Sequence, residues 1–131
     1  MTDIYPFRSE EEEIFWGLVH LLPDLVEEFN GLELDHASYE SLTFHFGQVS
    51  YTPDFVVNLK DPLTDANLVA VFEIKGSKKQ KGYKETRQRL NTVAGIFTEY
   101  VFVECLVDVK TSLPASFEII TRKPFVFWRK V

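Results

Sequence analysis

The run LVAVFEIK, residues 68–75, decides how this chain is read: it is apolar almost without interruption until it reaches Glu73 and Lys75. Strict alternation would mark a strand with one wet face, whereas near-continuous apolar character marks a strand covered on both faces, at the centre of a sheet. A charged pair at the end of such a strand needs a reason, because unpaired buried charge is costly. Residues two apart on a strand project to the same face, so this spacing sets Glu73 and Lys75 side by side.

Outward from that strand, DFVVNLK (54–60) reads as a second strand introduced by Pro53, and DPLTDAN (61–67) as the loop between the two. Further upstream LTFHF (42–46) alternates and reads as another strand. Downstream, a helix is expected from about Gly82 to Phe97, turning Leu90, Val93, Ala94 and Phe97 toward the sheet, followed by the strand YVFVECLV (100–107). The tail holds FEII and FVFW, short strands or packing segments, with Phe125, Phe127 and Trp128 read as core or subunit interface. At the other end, Ser9 and the glutamates at 10–13 precede IFWGLVHLL. Carboxylates favour a helix N-terminus, and Ile14, Phe15, Leu18, Leu22 and Leu25 keep helical spacing. Pro23 should kink or split that helix, leaving a second short segment from Asp24 to about Phe29. The order of elements predicts an α/β fold, a small mixed β-sheet flanked by helices, in one domain over residues 1–131.

Several function classes fall away. The single cysteine, Cys105, makes neither an internal disulfide nor a zinc site by itself, and it lies in an apolar strand where it is expected to be inert. His20, His36 and His45 are scattered and form no metal-binding spacing. No glycine-rich phosphate loop supports an ATPase or kinase. No stretch approaches the ~18 apolar residues of a membrane span, and MTDIYPFRSEEEE lacks signal-peptide character. The expectation is an intracellular, cytoplasmic protein with no membrane partner.

The net charge of −6 conceals a division. Residues 1–70 carry two basic and fourteen acidic side chains, a net of −12, and residues 71–131 carry twelve basic and six acidic, a net of +6. Seven of the basic residues fall between Lys75 and Arg89. A basic run directly after a charged strand end reads as a surface for a nucleic-acid backbone, with Lys78, Lys79 and Lys81 as first contacts and Lys84 and Arg87 behind them. Tyr83 adds packing or stacking there.

Asp54 opens one strand and Glu73 closes the next. An acidic pair converging from adjacent strands makes an oxygen-rich site suited to magnesium, and a lysine beside it can hold a phosphate oxygen or stabilise charge building on it. Taken singly, Pro-Asp is a common turn pair, as Pro23-Asp24 illustrates, and Glu-x-Lys is a common surface ion pair. Their order and setting give them weight.

SYTPDFVV followed by VAVFEIKG resembles the signature of the PD-(D/E)XK nuclease superfamily, and within it the small phage nucleases, junction-resolving endonuclease I among them. The resemblance covers roughly residues 8–107. It implies a restriction-endonuclease-like core and a magnesium site in which manganese substitutes. Asp54 and Glu73 would be the metal ligands, with the Ile74 carbonyl as a further one, and Lys75 the catalytic lysine. Many members add a glutamate from the first helix. The string FRSEEEE is similar to their Arg-Ser-x-x-Glu arrangement, which selects Glu12, whereas helical spacing puts Glu11 nearer the centre of the apolar face. Ser9-x-x-Glu12 is also a capping box, a purely structural role. The nineteen-residue step from Asp54 to Glu73 implies a longer hairpin than in the compact phage enzymes. The function implied is hydrolysis of DNA, branched or junction DNA included, by a homodimer or with a partner nuclease or recombination subunit. Alternatives are a sequence-specific restriction-like enzyme, a transposon-end-cleaving subunit, and a non-catalytic nucleic-acid-binding module on the same fold. A phage or mobile element is the source the resemblance suggests.

Overall fold

In the computed structural model, which describes residues 7–121, the run 68–75 lies in the middle strand of a five-stranded sheet. The strands are β1 (Glu33–Tyr39), β2 (Phe44–Phe46), β3 (Val49–Tyr51), β4 (Phe55–Lys60), β5 (Asn67–Lys75), β6 (Val101–Asp108) and β7 (Leu113–Ile119), and the α-helices are α1 (Glu10–Leu18), α2 (Leu22–Leu25) and α3 (Tyr83–Ile96). The main sheet runs β1-β4-β5-β6-β7, and β2 pairs with β3 in a separate two-stranded hairpin. Every neighbouring pair in the main sheet is antiparallel except β5 and β6, which are parallel and joined by the α3 crossover. The fold is therefore mixed α/β.

Alternation along β5 builds two cores. Ala70, Phe72 and Ile74 pack with Phe15, Val19 and Leu22 of the N-terminal helical region, together with Phe55, Val57, Val103 and Cys105. Val71 turns the other way, onto Leu90, Val93 and Ala94 of α3, Phe102, and the hairpin residues Phe44 and Tyr51. Both faces of the central strand are covered, as its composition predicts. Glu73 and Lys75 share parity with Val71 and so belong to the α3 face.

Sequence expectations fare unevenly at the margins. The helix does break near Pro23: α1 gives way to a 3₁₀ turn at Val19–Leu21, then to α2 with its proline in the first turn, then to a second 3₁₀ turn at Glu27–Phe29. The strand expected at 42–46 is reduced to Phe44–Phe46 and lies outside the main sheet. The edge strand beside β4 is instead Glu33–Tyr39, drawn from the polar stretch ELDHASY. Of the tail, the expected FEII segment overlaps β7, while FVFW with Phe125, Phe127 and Trp128 lies outside the described residues. The β4–β5 connection turns on Asp61, whose carboxylate accepts from the Leu63 amide at 2.9 Å and whose own amide donates to the Ala66 carbonyl at 2.8 Å. No helix among the described residues is long and apolar enough to cross a membrane.

Candidate active site

The site forms where β4 leaves the sheet and β5 runs on. Phe55 pairs with Phe72, and beyond that pair β5 continues through Glu73, Ile74 and Lys75 against β6 alone. The Ile74 amide has lost its strand partner on that side. Asp54 supplies a replacement, its Oδ2 accepting from Ile74 N–H at 2.7 Å. The Asp54 carbonyl accepts in turn from the Glu40 amide at 2.9 Å, which ties the start of β4 to the end of β1.

Glu73 is 6% exposed, with both carboxylate oxygens engaged. The Tyr51 hydroxyl donates to Oε1, and Lys75 Nζ stands 3.5 Å from Oε2. Glu12 arrives from α1. The Ser9 hydroxyl accepts from the Glu12 amide at 3.2 Å, one half of a capping box. The return half goes elsewhere: Glu12 Oε1 accepts from the Arg8 amide and from the Tyr39 hydroxyl, each at 2.9 Å. The Glu12 carboxyl is thereby held beside Asp54, within its hydrogen-bonding reach.

Between the two candidates on α1, the structure brings Glu12 to the site. The buried stripe of this helical region is Glu12, Phe15, Val19 and Leu22, while Ile14 and Leu18 are half-exposed. Glu11 lies across from Gly76 and Gln80, bordering a different depression.

These acids and Lys75 line a cleft of about 570 Å³ whose other walls are Arg8, Glu40, Thr43, Ser50, Tyr51, Thr52, Thr86 and Arg89. Burial pushes the Asp54 carboxyl up to about 9, reinforced by the charge of Glu73 and opposed by the Ile74 amide. Burial also raises Glu73, while Tyr51 and Lys75 pull it back toward the ionised form. The Tyr51 hydroxyl is driven well above its ordinary range by burial and by Glu73, so it acts as a donor. The cleft is thus short of positive charge, and Asp54 retains a proton through neutral pH.

Among the described residues, no three His, Cys, Asp or Glu side chains stand ready to grip a metal ion as they are. The donor chemistry nevertheless fits a hard divalent cation: three convergent carboxyls, Glu12, Asp54 and Glu73, carry more acid than Lys75 neutralises, and a proton occupies what a cation would take. Ile74, whose carbonyl is the further ligand the sequence suggests, is tied to the site by its amide, which donates to Asp54.

The basic run divides. Arg87 faces inward, donating through Nη1 to buried Glu104 at 3.1 Å and through Nη2 to Glu118 at 2.7 Å, and Tyr83 donates to the same Glu104 at 2.9 Å. Lys78 leans toward Glu118 at 4.0 Å. Lys79, Lys81 and Lys84 are exposed, and none of the lysines after Lys75 borders the acidic cleft. Arg89, one turn of α3 beyond Thr86, does.

Sequence reasoning passed over Tyr39, Tyr51, Arg89 and Glu104. Glu104 had a usable signal, being a lone charge inside the apolar run YVFVECLV, as Glu73 and Lys75 are the charges of LVAVFEIK. Tyr39 had none, because β1 itself was not visible. No family model, curated protein or solved structure matches the chain significantly.

Proposed function

We propose that this chain is a divalent-cation-dependent nuclease of the PD-(D/E)XK type, with a restriction-endonuclease-like core, that hydrolyses DNA phosphodiester bonds. One observation carries the reading. Glu12 from α1, Asp54 from the start of β4, and Glu73 and Lys75 from β5 line a single polar cleft at the end of the sheet. The supporting topology is an aspartate at the start of one strand, Glu-x-Lys on its antiparallel neighbour, and a helical crossover to a parallel third.

Asp54 and Glu73, joined by Glu12, would hold magnesium or manganese. The bound cation would polarise the scissile phosphate and lower the cost of the attacking water's deprotonation. Lys75, on the same face as Glu73, offers its ammonium to a phosphate oxygen and stabilises the charge gathering there. Ile74 N–H and Tyr51 O–H keep the Asp54 and Glu73 carboxyls from rotating away. In the overall reaction water adds to phosphorus, one P–O bond breaks, and the departing oxygen takes a proton. Branched or junction DNA is the first substrate class to try, given the resemblance to junction-resolving enzymes.

The test is cleavage of linear duplex, single-stranded, flap and four-way-junction DNA in magnesium, manganese or EDTA, with Glu73→Ala and Lys75→Ala beside the wild type. Cutting that needs metal and falls by roughly 100-fold or more in either variant is the expected result. Full activity in a folded variant would remove that residue from the mechanism. Binding without any cutting would favour the non-catalytic module.

A further inference from the structure

The cleft's charges can be followed one by one. Four acids line it, Glu12, Glu40, Asp54 and Glu73, against three bases, Arg8, Lys75 and Arg89. Lys75 is spent on Glu73, and Arg8 on Glu40. Arg89 makes no ion pair among the described residues. It is exposed on α3, whose inner stripe is Tyr83, Arg87, Leu90 and Ala94, and it stands with Thr86 on the flank that borders the cleft.

Arg8 is the mirror case. Its Nε lies 3.3 Å from Glu40 Oε2 and its Nη2 3.3 Å from Oε1, a two-point grip. The grip is shallow, for the Arg8 side chain is 76% exposed. Glu40 sits at φ 49, in the left-handed region that few non-glycine residues occupy. A guanidinium fork fits a phosphate as well as it fits a carboxylate.

On the reading of the chain as a nuclease, we infer that the phosphodiester strand is held at the cleft's two rims by Arg89 from α3 and Arg8 from just ahead of α1, rather than by the lysines at 78–84. Glu40 stands in for the phosphate until the strand arrives. The acidic floor repels a polyanion, so positive charge has to flank it where the strand crosses. Arg89 is available for this at once, whereas Arg87 is held by two carboxylates and Lys78 leans on one of them. Arg8 becomes available when phosphate displaces Glu40. Around the same rim Ser50 and Thr86, with one hydroxyl of the Thr43–Thr52 pair, whose two hydroxyls are hydrogen-bonded to each other at 2.7 Å, give neutral donors for the remaining phosphate oxygens.

The experiment measures binding of a fluorescently labelled duplex oligonucleotide by anisotropy across a salt series, in calcium and in EDTA, with magnesium-dependent cleavage measured in parallel. Arg89→Ala and Arg89→Gln should each bind about tenfold more weakly. Their slope of log affinity against log salt should fall by about one phosphate contact. Their melting temperatures should match the wild type. Arg8→Ala should weaken binding, and Glu40→Gln, which frees Arg8, should tighten it. The Lys79→Ala/Lys81→Ala protein should bind nearly as the wild type does. Unchanged affinity and slope in the Arg89 variants, with a wild type that binds and cuts, would overturn this assignment and leave the nuclease reading standing. A wild type that neither binds nor cuts would overturn both.

Discussion

Asp54 answers three demands at once. It closes an orphaned amide of β5, it stands beside two other carboxyls, and it is largely buried. Its carboxyl is raised to about 9, by burial first and then by Glu73, far above the ~4 of an aspartate in an unfolded chain. The folded protein therefore binds more protons than the unfolded one across that interval. Its contribution to stability is complete below about pH 4 and is lost as pH rises toward 9. Asp54→Asn keeps an oxygen for the Ile74 amide and removes the ionisation. In EDTA this variant is expected to melt several degrees above the wild type at pH 8, with the gap closing below pH 5, while losing cleavage. A variant melting below the wild type at pH 8 would show that the acid is not carried at a cost to the fold. A saturating divalent cation should narrow the same gap from the other side, by stabilising the wild type alone.

At the scale of elements, α3 is pinned by polar contacts as well as apolar ones. Leu90, Val93 and Ala94 bury one stripe, and toward the helix N-terminus Tyr83 and Arg87 reach Glu104 on β6. Glu104 is 2% exposed and paired across the parallel ladder with Glu73, so removing it leaves a half-buried guanidinium and a phenol without their shared acceptor. Glu104→Ala is expected to cost about 3 kcal/mol in urea denaturation, Arg87 retaining Glu118 as a second anchor. A loss under ~1 kcal/mol would place the network at the level of an ordinary surface pair. The elements also differ in how plainly the sequence announces them. β4, β5, β6 and α3 were legible because each buries enough apolar surface to imprint a period. β1 was not, since ELDHASY places only one edge on β4 and leaves much of its surface to water. Its strand character comes from the partner that it meets in three dimensions. Glu12 was legible by motif and hidden by periodicity, because Ile14 and Leu18 suggested a face turned away from the one α1 buries.

Across the whole molecule, the acidic N-terminal half and the basic C-terminal half meet at the cleft rather than facing apart. The N-terminal half contributes Glu12, Glu40 and Asp54, and the other half Glu73, Lys75 and Arg89. The charge division was visible in the sequence, but the pairing that decides which basic residues stay available was not. Arg87 and Arg89 look alike in a string, and two residues of helix turn one toward Glu104 and the other toward the cleft. The sheet gives the molecule two ends. At one, β5 passes the start of β4 and the acids gather. At the other, six residues of strand away and so about 20 Å distant, Asp61 folds the chain into a tight turn with Leu63 at its tip, 92% exposed. That separation makes the turn a handle. A short peptide tag or a fluorophore-bearing residue introduced between Leu63 and Thr64 should leave metal response, binding and cutting as in the unmodified chain. It would let the cleft be watched from a position well clear of the acids that line it.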